Sequence, residues 1–310
     1  MAAESSSRLE MSLSDLASYL EIPPAAAKEL VKEVSGKAVL STTVSPEIMR
    51  KILKQRGYEF KPQTLSFQML KGGVAKTTTA LNFGLRAAMY GARVLFIDLD
   101  QQANLSFALG FENEDAPVWV DIVEKKKNVE ECVVRLEEGL DLIPSNLNNS
   151  VLDRVLLNSN RNWAQAVQGP LQKIKHRYDL IIIDTAPALS AINTAVSVAS
   201  DVVVLPVNPD RFSYLGLKKS VEELRLIQED FKVQFQMRVL FTKFDAREKQ
   251  SHEIWEKCNL EFVDLVLKSY IRNSAEVKNT IRGEKTLFGS KNPVKNDFDL
   301  VTRSILGLEV

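Results

Sequence analysis

Residues 65–85 read LSFQMLKGGVAKTTTALNFGL: a short apolar run, a glycine pair, a lysine followed by three threonines, and an amphipathic stretch that starts near Ala80. This strand–loop–helix order is what a phosphate-binding loop requires. Glycine lets backbone N–H groups turn inward on phosphate oxygens, and the N-terminus of the next helix favours negative charge. In such a loop Lys76 reaches the β- and γ-phosphates and the Thr77 hydroxyl holds Mg²⁺. The standard G-x-x-x-x-G-K-[ST] spacing is not met, because Leu70 and Ala75 stand at its two glycine positions. The plainer alternative is a Gly-Gly turn followed by a surface lysine.

Working outward, β-rich segments at 65–70, 93–100, 141–144, 179–185, 201–207 and 237–242 alternate with amphipathic stretches. Such alternation predicts an α/β fold: a doubly wound, mostly parallel sheet with helices on both faces. The unbroken run Leu180-Ile181-Ile182-Ile183 suits a strand buried on both sides. In doubly wound sheets the carboxyl ends of the strands line the ligand crevice. Asp98 and Asp100 close one predicted strand and Asp184 closes another, so all three are expected beside the loop. Residues two apart on a strand share a face, which would point Asp98 and Asp100 the same way. The alternative for either is a helix cap or a structural ion pair.

Composition narrows the setting. The chain has 310 residues, with 40 basic against 40 acidic side chains, so wholesale electrostatic wrapping of nucleic acid is not expected. With 45% apolar residues it can build a sizeable core, and no run approaches the roughly 18 apolar residues of a membrane span. The first 30 residues carry Glu4, Arg8, Glu10 and Asp15 and no continuous apolar centre, so no signal peptide is expected. Cys132 and Cys258 are far apart, which rules out a disulfide framework and fits a reducing cytoplasm.

KGGVAKTT at 71–78 resembles the deviant Walker A loop, x-K-G-G-x-x-K-[ST], of the ParA/MinD ATPases. The resemblance continues in FIDLDQQAN at 96–104, in the Walker B-like YDLIIIDTAP at 178–187, and in LIPSN at 142–146 and LPVNP at 205–209. It covers about residues 62 to 305 and implies a P-loop ATPase of residues 61–310 that uses ATP and Mg²⁺. It also implies roles. Lys71 would reach across an ATP-dependent homodimer to the partner's nucleotide, and Gly72, Gly73, Val74, Ala75, Lys76, Thr77 and Thr78 would cradle phosphate. Asp100 would position the attacking water, with Asp98 and Asp184 supporting the metal beside Thr77. Adenine contacts would come from near Thr242, Lys243, Ile271 and Arg272. The sequence departs from the pattern at Ala75 and Ala103, which replace glycines, at Gln101, which replaces proline, and at Thr185-Ala186-Pro187, which lacks the first proline of a pair. If the backbone at Ala75 needs a positive φ, that residue is strained.

Residues 268–295 hold Lys268, Arg272, Lys278, Arg282, Lys285, Lys291 and Lys295 against Glu276 and Glu284, a local charge of about +5. Such a patch suits sequence-independent contact with duplex DNA, and Arg247 would extend it. The resemblance implies a ParB-like stimulating protein as partner, a nucleoid-associated location and no membrane. Residues 1–60 read as a separate helical module, with Leu13, Leu16, Ala17 and Leu20 on one helical face, Pro24 opening a second helix and Ser45-Pro46 a third. That pattern is compatible with a helix-turn-helix, although eight basic residues balance eight acidic ones there. An ATP-tuned transcriptional regulator is therefore one rival. A MinD-like membrane-cycling ATPase is another, but residues 297–310 carry one base against three acids and read as a core-docked helix.

Overall fold

The computed structural model describes residues 8–36, 42–158, 162–282 and 286–308. In chain order its elements are β1 (Met11–Ser12), α1 (Leu13–Tyr19), α2 (Pro24–Ser35), β2 (Thr43–Val44), α3 (Pro46–Gln55), β3 (Gln63–Phe67), α4 (Lys76–Met89), β4 (Val94–Asp98), α5 (Asn104–Ala108) and α6 (Trp119–Val123). There follow β5 (Val134–Glu137), β6 (Leu140–Ile143), α7 (Leu152–Asn158), α8 (Gln165–Ile174), β7 (Leu180–Asp184), α9 (Ala191–Ala199), β8 (Val202–Val207), α10 (Arg211–Phe231), β9 (Gln236–Phe241), α11 (Lys249–Glu261), α12 (Ala275–Asn279) and α13 (Val294–Leu306).

Seven strands form one sheet in the order β5-β6-β4-β7-β3-β8-β9, parallel throughout except for β5, which runs antiparallel to β6. The doubly wound expectation therefore holds, with an antiparallel edge strand added. Period-two alternation explains the layers. Phe96, Ile182 and Val204 face one apolar cluster with α4 and α13, while Leu95, Ile97, Ile181 and Ile183 face another with α8 and α9. Gly84 lets α4 lie close on β4, since a methyl group there would overlap the Phe96 ring.

The N-terminal helices begin and end where their caps dictate. Ser12 Oγ accepts from the Asp15 N–H (3.0 Å), Ser45 Oγ accepts from the Ile48 N–H (3.4 Å), Pro24 opens α2, and Gly36 closes it with φ +66°. One difference from the sequence reading is that Met11 and Ser12 pair with Val44 and Thr43 in a short ladder instead of extending a helix. Leu16, Tyr19, Met49 and Ile52 join the same apolar cluster as α4 and α13. Gly91 (φ +91°) lets α3 approach the turn after α4, where any Cβ would overlap the Pro46 carbonyl and Arg50.

Ion pairs reinforce this packing. Arg50 of α3 donates to the buried Asp179 carboxylate (2.5 Å), which Arg93 also grips (2.9 Å). Burial alone would raise the Asp179 carboxyl, but its hydrogen bonds from Arg50 and Arg93 outweigh that and hold it at about 2. On the other side, buried Arg86 of α4 pairs with Asp299 of α13 (2.7 Å) and approaches Asp15 of α1 (3.8 Å), while Lys295 of α13 also pairs with Asp15 (3.0 Å). As the sequence suggested, the C-terminal helix is docked: Val294, Phe298 and Val301 are buried in the cluster shared with α4.

Candidate nucleotide-binding site

The loop between β3 and α4 lies at the carboxyl end of the sheet. Gly73 (φ +74°) and Ala75 (φ +64°, ψ +31°) both adopt the left-handed conformation. For Ala75 this costs about 1–2 kcal/mol, so the strain anticipated from the missing glycine is present. Ala103, the other alanine at a glycine position, is also left-handed (φ +52°). The end of β9 braces the loop: Thr242 Oγ1 donates to the Val74 carbonyl (3.1 Å) and Lys243 Nζ to the Gly73 carbonyl (2.5 Å). Within the loop, Thr79 Oγ1 donates to the Ala75 carbonyl (2.6 Å).

Lys76 opens α4 and is buried, and burial pulls its ammonium below the ordinary lysine range against the attraction of Asp184 and Asp100. Thr77 Oγ1 donates to Asp184 Oδ2 (2.6 Å), while Asp184 Oδ1 is buried with no hydrogen-bond partner. Burial and the neighbouring Asp98 push the Asp184 carboxyl up. A buried carboxylate oxygen without a partner, beside a threonine hydroxyl, fits a divalent cation. Among the described residues no three His, Cys, Asp or Glu side chains converge on a metal. A Mg²⁺ ion here would therefore be shared between Thr77, Asp184, water and phosphate oxygens, its usual manner of binding.

The structure corrects one expectation about the acids. Asp98 and Asp100 do not share a strand face, because β4 ends at Asp98 and the chain then turns, closed by the Ala103 N–H donating to the Asp100 carbonyl (2.9 Å). Asp98 is fully buried and accepts from the Asp100 N–H, the Ser106 N–H and Ser106 Oγ. Burial pushes its carboxyl up to about 7 in spite of those bonds. Asp100 is half-buried and accepts from the Gln102 N–H (3.0 Å). Asp98 thus fastens the turn that carries Asp100.

Lys71 turns away from its own loop. Its Nζ bonds both oxygens of Asp210 (3.0 and 3.1 Å) and Ser213 Oγ (2.9 Å), beside the exposed Phe212 ring. Asp210 also caps α10, accepting from the Ser213 N–H. Sequence reading missed this partner, although an aspartate three residues before a serine at a helix start is a legible cap.

Thr242, Lys243, Ile271 and Arg272 come together, with Gly73, Ala75 and Thr78, around a pocket of about 220 Å³. Ile271, Val277 and Phe298 give it apolar walls, and Asn273, Ser274 and Lys278 a polar rim, a combination that suits a flat heteroaromatic ring. Arg272 grips Asp297 through Nε (2.7 Å) and Nη2 (2.6 Å), a contact unseen in the sequence.

The basic segment is only partly free. Lys268, Lys278 and Lys291 are exposed and make no ion pair among the described residues. Lys295 is tied to Asp15, Arg272 to Asp297, and Arg247 to Asp245 by two bonds of 2.9 and 2.7 Å. The Arg282 side chain, Glu284 and Lys285 lie outside the described residues. Among the described residues no helix is long and apolar enough to cross a membrane.

An AAA domain family model matches residues 62–237. The chain is 33% identical over 204 residues to the sporulation initiation inhibitor protein Soj of Bacillus subtilis, covering 65% of this chain and 80% of that one. Among solved structures, the ATP complex of a Cyanothece McdA variant superposes with a TM-score of 0.73 at 25% identity, over 81% of this chain and 98% of the other. Cobyrinic acid a,c-diamide synthase from Mycobacterium smegmatis, bound to an ATP analogue and magnesium, superposes with a TM-score of 0.69 at 25% identity, over 79% and 94%. With the loop sequence and these matches in agreement, the chain belongs to the ParA/MinD family of P-loop ATPases with the deviant Walker A loop.

Proposed function

We propose that this protein is a ParA-type positioning ATPase that hydrolyses ATP slowly, as a switch, to segregate or place DNA or another cargo. Mg²⁺ supplies charge neutralisation across the β- and γ-phosphates when bound. The chain's own residues do the rest. Amides of 72–78 and Lys76 hold phosphate, Thr77 and Asp184 take the metal, Asp100 orients the water, and Asp98 keeps the Asp100 turn in place. Thr242, Lys243, Ile271 and Arg272 line the base pocket. ATP brings two copies together, and each Lys71 leaves Asp210 for the partner's phosphates.

The observation that carries this reading is the position of Lys71. It is about one-third exposed (33%), held at the surface by one ion pair, and flanked by the exposed Phe212 (76%) and Leu215 (50%). A lysine serving only its own nucleotide has no reason to sit there. The dimer would bind duplex DNA without sequence preference through Lys268 and Lys278 of each subunit, at the nucleoid in the cytoplasm, until a ParB-like protein stimulates hydrolysis. Within residues 1–60, the described helices α1, α2 and α3 support the ATPase body, in preference to reading an operator. The exposed face of α2 alternates Lys28 and Lys32 with Glu29 and Glu33, which gives it no net pull on DNA.

The test is binding to random-sequence duplex DNA with ATP or ADP over a salt series. Binding that needs ATP, falls steeply with salt, and is lost in Lys71→Ala supports the switch. In Lys268→Glu/Lys278→Glu the salt slope should drop by about 2 per subunit. Equal weak binding in both nucleotides would sink it.

A further inference from the structure

Two residues that carry a Cβ are left-handed on the wall of the base pocket, Ala75 (φ +64°) and Lys243 (φ +52°). That conformation is disfavoured by roughly five- to thirtyfold for such a residue. Outliers of this kind persist where the surroundings over-determine the backbone, and they gather at functional sites. At Lys243 the chain is pinned on both sides: the Thr242 N–H donates to the Val207 carbonyl (2.9 Å) and the Phe244 N–H to the Ile271 carbonyl (3.0 Å). The turn so held brings the Lys243 side chain back to the phosphate loop, where Nζ donates to the Gly73 carbonyl (2.5 Å). The ammonium makes no ion pair among the described residues, so that carbonyl is what it serves.

The three carbonyls ahead of α4 are each held by a side chain: Gly73 by Lys243, Val74 by Thr242 (3.1 Å) and Ala75 by Thr79 (2.6 Å). In a trans peptide the N–H points opposite to the C=O. Fixing these carbonyls therefore sets the direction of the N–H groups of residues 74, 75 and 76, the donors that a phosphate meets. The Thr79 tether is local to the helix, whereas the other two come from the end of β9. Ala75 itself has no side-chain cap to offset its strain. We propose that Lys243 is a positioning residue for nucleotide binding: its bond to the Gly73 carbonyl holds the phosphate loop in the conformation that alanine at 75 resists. This role rests on the reading of the loop as the nucleotide site, and it requires no contact between Lys243 and the nucleotide. Glycine at 75 would adopt the same conformation without a brace. The two positions are thus coupled, and that coupling distinguishes bracing from a direct charge contact with phosphate.

The experiment uses the full chain, unaltered and as Lys243→Met, Ala75→Gly and the double variant. Methionine keeps an unbranched apolar stem and removes the donor. A fluorescent ATP analogue with Mg²⁺ is titrated into each. When only a fraction of the chains hold the competent loop, apparent affinity falls by that fraction. Lys243→Met should therefore weaken binding about fivefold or more beside Ala75, and no more than about twofold in the Ala75→Gly background. A second readout needs no nucleotide. The Thr79 N–H donates to the Ala75 carbonyl (2.9 Å), so hydrogen exchange at Thr79 reports whether the loop keeps its shape where it enters α4. Lys243→Met should speed that exchange, and adding Ala75→Gly should slow it again. If the unaltered chain fails to take the analogue, the ATPase reading fails, while exchange still judges the brace. An effect of Lys243→Met on affinity that is the same in both backgrounds, whether a loss or none, overturns the proposal. So does exchange at Thr79 that Lys243→Met leaves unchanged.

Discussion

At the scale of single residues, the phosphate loop was legible because its chemistry is local. Lys76 and Thr77 follow the glycine pair after two residues, and the Thr77–Asp184 bond needed only the rule that strand ends converge. What stayed hidden depends on tertiary proximity. Asp210 is 139 residues from Lys71, Asp297 is 25 from Arg272, and the Ser106 bonds that occupy Asp98 exist only because the chain turns immediately after β4. Ala75 shows how far local reading goes: the positive φ was foreseen as a condition, and the structure supplies it. Replacing it tests the strain. Ala75→Gly removes about 1–2 kcal/mol of left-handed strain and returns about 0.4–1 kcal/mol of unfolded-chain entropy. A net gain of about 0.5–1 kcal/mol is expected, seen as a rise of about 2 °C in the thermal midpoint. A lower midpoint would mean that the alanine methyl packs against its surroundings by more than it strains the backbone.

At the scale of elements, the buried parallel strands were read correctly because they are apolar on both faces, whereas β5 was missed. Val134, Arg135, Leu136 and Glu137 form an edge strand in which Arg135 is exposed and Glu137 pairs with Arg8, and its pairing with β6 comes from a turn at Gly139 (φ +79°), not from an apolar run. β3 also ends earlier than its apolar pattern does. Met69 and Leu70 stay apolar, but the backbone has left the strand to enter the loop. The attachment of α3 was likewise illegible, since Arg50 and Asp179 lie 129 residues apart. Its energetics carry a sign. A folded-state carboxyl near 2 against about 3.9 unfolded gives Asp179 about 2–3 kcal/mol of stabilisation. That contribution is complete above the unfolded value and is lost as the pH falls through the folded one. Arg50→Met should therefore lower stability by about 1–2 kcal/mol at pH 7, and the gap from wild type should narrow in urea titrations between about pH 4 and pH 2. A gap of constant size would assign the loss to the packing of Arg50 over Phe60 instead.

At the scale of the whole molecule, the question is whether the helices before residue 61 are a unit that the ATPase body can lose. The physical grounds point to one cooperative body. Leu16, Tyr19, Met49 and Ile52 are buried in the same apolar cluster as Met89, Tyr90 and Phe298, so cutting at residue 60 would open that cluster to water. The ionic contacts point the same way. Arg86 is fully enclosed between Asp299 and Asp15, and Asp15 is also the partner of Lys295 on α13, the helix whose Asp297 holds Arg272 at the base pocket. Cutting at residue 60 removes Asp15 with α1, which leaves a buried guanidinium short of one carboxylate and a lysine without its partner, and removes Arg50 with α3, which takes from Asp179 one of its two arginines. Calorimetry of the intact chain should accordingly give one transition whose calorimetric and van't Hoff enthalpies agree. A chain beginning at residue 61 should melt lower or precipitate, and Leu16→Ala should lower the same single transition by about 2–4 kcal/mol. Two separable transitions in the intact chain, with the upper one unmoved by Leu16→Ala, would instead make the N-terminal helices an independent module. The route from them to the base pocket through α13 would then carry no energy.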